Sequence, residues 1–125
     1  DGTLVDSAIT VTTVLNILRQ KQSKSLLSAE FVRPVTSLGG HEMIRQALEC
    51  ADQEVDVYLN EFRCLYAETD IGSDTLFPEV SETLGRLKMA GCRLAICTNK
   101  PRDLAEKTLA AVELLDQFDF CDFCD

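Results

Sequence analysis

Apolar positions recur at helical spacing through the first half of the chain, and then give way to a short continuous run. Val11, Val14, Leu15 and Leu18 share one helical face. Asp6 and Ser7 just before them are residue types that cap helix starts. Residues 23–28 read as a loop. Ser28 is placed to cap a short helix with Glu30 in its first turn and Pro34 near its middle or end. The Gly39-Gly40 pair breaks the pattern. Residues 41–51 resume it, with Met43, Ile44, Ala47 and Leu48 inward. Val55, Tyr58, Leu59, Phe62, Leu65 and Tyr66 form the cleanest stripe, which reads as core packing. Residues 8–69 therefore predict a bundle of about four helices.

The pattern changes after Asp70. Pro78 suits the first turn of a helix running to Ala90, with Gly91 in the left-handed closing position. Residues 92–97 (Cys-Arg-Leu-Ala-Ile-Cys) predict a strand buried on both faces, stopped by Asn99-Lys100-Pro101. Leu104, Ala105, Thr108, Leu109 and Val112 mark a further helix, and residues 118–121 begin another strand. This alternation predicts an α/β core interrupted by a helical insert. No solenoid period is present.

Composition narrows the function classes. The chain has 125 residues, 46% of them hydrophobic and 26% charged, which suits a globular protein with a buried core. No apolar run is long enough for a membrane helix, and no membrane partner is expected. The net charge of −9 opposes a nucleic-acid partner. The six cysteines fall largely on strand and helix patterns, where small thiols pack in cores. A reduced, cytoplasmic protein is the expectation. Cys121 and Cys124 have ligand spacing, but one such pair and one His do not make a four-ligand zinc site.

Two segments carry candidate chemistry. Asp1-Gly2-Thr3 reads as a turn after a strand, a common place for a reactive carboxylate in α/β proteins. Thr98-Asn99-Lys100 ends an apolar strand in a hydroxyl, an amide and an amine, groups able to hold a phosphoryl group. Either alone is weak, since Asp-Gly and polar strand ends are also ordinary turns.

Taken together, Asp1-Gly2-Thr3-Leu4-Val5-Asp6-Ser7 and Thr98-Asn99-Lys100-Pro101, with the helical insert between them, resemble the haloacid dehalogenase (HAD) superfamily of phosphatases. Phe77-Pro78-Glu79-Val80 with Leu84, Leu87 and Ala90-Gly91 resembles the helix that leads to its second motif. Phe31-Val32-Arg33-Pro34 and Ser37-Leu38-Gly39-Gly40 resemble the cap of phosphoglycolate phosphatases, and Phe118-Asp119 resembles the approach to the next core strand. The resemblance covers nearly the whole chain. It implies an α/β, Rossmann-type parallel-sheet core, here incomplete, from residues 1–7 and 71–125, and an inserted helical-bundle cap from residues 8–70.

The resemblance also implies roles. Asp1 corresponds to the general acid, its backbone carbonyl binding Mg²⁺. Thr98 corresponds to the second-motif hydroxyl that bonds a phosphoryl oxygen. Gly2 and Thr3 shape the first loop, with Thr3 among the expected substrate-binding residues, and Asn99 and Lys100 lie beside Thr98, placed to meet phosphate or a substrate carboxylate. Arg33, Gly39 and Gly40 are the cap's candidates for substrate contact. The nucleophilic Asp is expected two residues before Asp1, and the third-motif Lys and the acidic pair that holds Mg²⁺ are expected beyond Asp125. The 125 residues alone are thus expected to be inactive. The implied substrate is a small phosphate ester such as 2-phosphoglycolate; the sequence leaves the oligomeric state open. Capped relatives of the β-phosphoglucomutase or phosphonate-cleaving type, and a noncatalytic binding domain, are the alternatives. Glu113 stands where relatives usually carry a helix-ending Gly, which strains that corner by about 1 kcal/mol.

Overall fold

The computed structural model describes residues 1–124, and the side chain of Cys124 is not among the described groups. The chain divides into two compact units, one of Asp1–Asp6 with Asp70–Asp125 and one of Ser7–Thr69.

The Ser7–Thr69 unit is helical: α1 (Ala8–Lys21), α2 (Ala29–Val35), α3 (Gly40–Leu48) and α4 (Val55–Glu68). The periodic residues are its core. Val14, Leu15, Leu18, Val32, Ile44, Leu48 and Tyr66 are all essentially inaccessible to water. Ser28 caps α2 as expected, its Oγ accepting the Phe31 N–H at 3.3 Å. Ser7 precedes α1 but makes no side-chain cap and is itself buried. Its backbone already has helical angles, whereas a capping residue is extended. The third helix ends at Leu48, short of the predicted Ala51, because Glu49 adopts the left-handed conformation. Gly40 lies close to α4: a Cβ there would meet Leu59 Cδ1 at 3.0 Å, tight enough that the Leu59 side chain would have to shift.

A buried cation closes the C-terminal end of α3. Arg19 is 4% exposed. Its Nη1 donates to the carbonyl of Ala47 at 2.5 Å and to Glu49 Oε1 at 3.0 Å, and its Nε donates to the carbonyl of Ser25 at 2.6 Å. Lys24 donates to the carbonyl of Leu48. The last carbonyls of a helix lack intrahelical partners and carry partial negative charge, so cations belong there.

The other unit contains α5 (Val80–Met89), α6 (Arg102–Ala111) and two parallel strands, β1 (Ala95–Pro101) and β2 (Phe120–Cys124), joined through α6. Val5 bridges antiparallel to Leu76, and Phe77 N–H donates to the carbonyl of Leu4 at 3.0 Å. The core is Val5, Leu84, Ala105, Leu109, Val112, Leu114 and Phe123, with Ile96, Leu94 and Val80 packed against it. The Arg102 guanidinium lies over the Phe123 ring at 5.0 Å and ties the start of α6 to β2.

Several expectations for this unit need correction. The strand starts at Ala95 rather than Cys92 and runs through Asn99 and Lys100 to Pro101 instead of stopping before them. It is not buried on both faces: Ala95, Cys97 and Asn99 are exposed while Ile96, Thr98 and Lys100 are partly buried. The described sheet has two strands and packing on one face only, so side-chain alternation alone decides burial. Cys97 is accordingly exposed rather than a core thiol; Cys92, ahead of the strand, and Cys64, on α4 of the helical unit, are exposed too, Cys50 and Cys121 are intermediate, and all five are free. The Cys121–Cys124 spacing lies partly outside the described side chains. The fifth helix begins at Val80, not Pro78, because Glu79 takes a left-handed conformation at its start. Gly91 does close this helix with φ +83°. Among the described residues, no helix is long and apolar enough to cross a membrane.

Candidate active site

The first loop turns at once. Gly2 has φ +70°, a conformation that favours glycine, and its N–H donates to the carbonyl of Val5 at 2.8 Å. Asp6 N–H donates to the carbonyl of Thr75 at 2.7 Å. These bonds pin the segment at both ends and leave Asp1 and Thr3 on the surface.

The second segment is shaped by an irregularity in the ladder. Residues Ala95 to Thr98 pair in step with Phe120 to Phe123, and the register then shifts, with Pro101 the next to pair. Asn99 and Lys100 fall in that break. The Lys100 N–H donates to Thr98 Oγ1 at 3.2 Å instead of joining the ladder. Such bulges bend a strand and redirect a side chain. Here the redirected side chain is Lys100, whose Nζ lies 3.1 Å from both carboxylate oxygens of Asp1. The ammonium-bearing side chain is 12% exposed and that of Asp1 37%.

Lys100 thus meets both candidates, Asp1 through its ammonium and Thr98 through its backbone N–H. Asn99 shares the bulge but is exposed. Arg33, Gly39 and Gly40 belong to the helical unit. Arg33 is exposed on α2, Gly39 has φ +89° ahead of α3, and Gly40 packs against the Leu59 side chain. Gly39 and Gly40, with His41, Glu42 and Arg45, line an open depression of about 490 Å³ within that unit. His41 Nε2 sits 2.8 Å from Asp56 Oδ1. Two arrangements were not legible in the sequence: the Asp1–Lys100 pair and the Arg19 clamp. Both depend on contacts between distant positions that no periodicity encodes.

The arrangement presents a carboxylate, a hydroxyl and an ammonium at the carboxyl end of a parallel strand, where α/β proteins place ligands. Among the described residues, no group of three His, Cys, Asp or Glu side chains is placed to hold a metal ion. Asp1 by itself falls short of the oxygen ligand set that Mg²⁺ requires.

The haloacid dehalogenase-like hydrolase family matches along residues 1–125, and the chain belongs to that family. A phosphoglycolate phosphatase of Rhodobacter capsulatus is 35% identical over 124 residues, which covers 94% of this chain and 56% of that protein. A solved protein of Haemophilus somnus, described as a predicted phosphoglycolate phosphatase, is 25% identical with a TM-score of 0.79, covering 100% of this chain and 60% of that one. A solved Bacteroides fragilis chain, 20% identical, covers 99% of this chain and 60% of its own with a TM-score of 0.82, a likeness of fold. The fold is therefore the α/β, HAD-like one, with parallel core strands and a helical unit inserted between Asp6 and Asp70. The chain spans about half the length of the curated relatives it matches.

Proposed function

We propose that the protein to which this chain belongs is a phosphomonoester hydrolase that works through an aspartyl-phosphate, with 2-phosphoglycolate or a similar small phosphate ester as substrate. In that reading the α/β unit is the core, the helical unit is the cap, and Asp1 is the general acid–base. The observation that carries it is the meeting of Asp1, Thr98 and Lys100 at the carboxyl end of β1.

The nucleophilic carboxylate expected just upstream of Asp1 attacks phosphorus, and the bond from phosphorus to the alkoxide breaks. Asp1 gives its proton to the departing alkoxide. It then takes a proton from the water that attacks the phosphoenzyme, which releases inorganic phosphate, frees the nucleophilic carboxylate and returns Asp1 to its protonated form. Thr98 accepts the Lys100 N–H, so its own hydroxyl proton remains to donate to a phosphoryl oxygen. Asn99 and Lys100 border the same seat, and Arg33, Gly39 and Gly40 are the cap's candidates for the rest of the substrate.

Mg²⁺ is part of this proposal for the whole protein, where it would neutralise phosphoryl charge. The described residues of this chain do not form its site, and no step above passes through it. The test is hydrolysis of 2-phosphoglycolate by the full-length protein, with and without chelator, beside an Asp1→Asn variant. Activity that requires a divalent cation and is lost in the variant supports the reading. An inactive wild type, or an Asp1→Asn variant as fast as wild type, rejects it.

A further inference from the structure

We infer that Lys100 is a positioning residue for Asp1: its ammonium holds the carboxylate at the mouth of the Thr98 seat, and its main contribution is to the chemical step rather than to substrate affinity. This rests on the phosphatase reading and deepens it. Four observations converge. The Lys100 ammonium lies 3.1 Å from both Asp1 oxygens, so it straddles the carboxylate and fixes its plane. Its side chain is 12% exposed, so the interaction is less screened than a surface pair. The break in register between Thr98 and Pro101 turns Lys100 out of the ladder. The Lys100 N–H bond to Thr98 Oγ1 fixes the base of that side chain and couples it to the second site hydroxyl.

Asp1 needs such a constraint. The residue after it, Gly2, takes a left-handed turn with φ +70°. An acid–base that must reach first an alkoxide and then a water loses rate steeply when misplaced. The Lys100 contact supplies the restraint from a different segment of the chain.

The experiment uses the full-length protein and follows steady-state kinetics for Lys100→Met, Lys100→Arg, Asp1→Asn and the Asp1→Asn/Lys100→Met double variant, with thermal melts to confirm folding. Where Lys100→Met does not fold, Lys100→Gln replaces it. The expected pattern is a kcat about tenfold or more lower in Lys100→Met, a share of the general acid–base effect, with KM changed less than about threefold. Lys100→Arg keeps the charge and restores most of the loss. The double variant is no slower than Asp1→Asn alone, because the two side chains act as one unit. A raised KM at unchanged kcat, or losses that multiply in the double variant, overturns the inference and makes Lys100 a substrate-binding group. A wild type without phosphatase activity overturns the underlying reading at the first step, which separates the two failures.

Discussion

The helical unit and the α/β unit are built to different standards of closure. Among the described residues, almost all of the fully inaccessible large side chains belong to the first: Leu15, Leu18, Ile44, Leu48, Val14, Val32 and Tyr66, against Leu114 in the second. Both units leave apolar side chains exposed, Val57 at 66% in the first and Met89 at 91% in the second, but only the second has a strand, β1, that shows water every second side chain. Yet the paired candidate groups, Asp1 with Lys100 and Thr98, all lie in this more open unit. A helix bundle satisfies its backbone within each helix and needs only one apolar face per helix. A two-stranded sheet leaves polar edges and one uncovered face.

The contrast can be broken at its functional side first. Asp1→Asn in the full-length protein is expected to lower kcat by roughly 10²- to 10⁴-fold without changing the melting temperature by more than a degree or two. A similar loss in melting temperature would make Asp1 a structural residue instead. The isolated 125-residue chain is expected to release no phosphate from 2-phosphoglycolate, and a Mg²⁺-dependent turnover by it would contradict the division of roles proposed above.

The packing side comes next. Leu15→Ala is expected to cost about 3–4 kcal/mol, and Leu84→Ala in the looser core about 2 kcal/mol, in urea unfolding followed by circular dichroism. Equal losses would erase the difference in closure. Arg19→Met tests the buried clamp. It strands the carbonyls of Ala47 and Ser25 and should destabilise the helical unit by about 2 kcal/mol.

Helix ends sharpen the comparison within the α/β unit. The fifth helix closes on Gly91, with the Cys92 N–H reaching the carbonyl of Leu87 at 3.0 Å. The sixth closes the same way, the Leu114 N–H reaching the carbonyl of Leu109 at 2.8 Å, but with Glu113 at φ +57° in the glycine position. Glu113→Gly should therefore raise stability by about 1 kcal/mol in the same unfolding assay.

The smallest effect belongs to Glu42. Hydrogen bonds from Arg45, then from Gln46, hold its carboxyl down at about 2 from an ordinary 4.5. A depressed carboxylate contributes stability above its unfolded value, and that contribution fades as pH falls from about 4.5 toward about 2. The Glu42 side chain is only partly covered, at 35% exposed, so added salt should flatten this part of a pH–stability curve. A salt-independent loss in that window would point to a buried carboxylate elsewhere.

Where periodicity is local, the sequence was read accurately. The four helices of residues 8–69 and the inward residues of α1, α4 and α6 follow from spacing alone, because which face of a helix is buried depends on neighbours three and four residues away. The Gly91 closure and the Ser28 cap were legible for the same reason. The extent and burial of β1 were not. An apolar run suggests burial on both faces, but burial of a strand depends on which other strands and helices cover it, and here one face is open. Asp1 and the Thr98–Lys100 segment could be picked out as candidate chemistry from residue type and resemblance. That Lys100 faces Asp1 was decided only in three dimensions, by a break in strand register between Thr98 and Pro101 and a glycine turn at the other end of the chain. The sequence determined which residues form helices and which carry reactive groups. The tertiary structure decided which groups meet, because a contact between distant positions depends on the path of the whole chain between them.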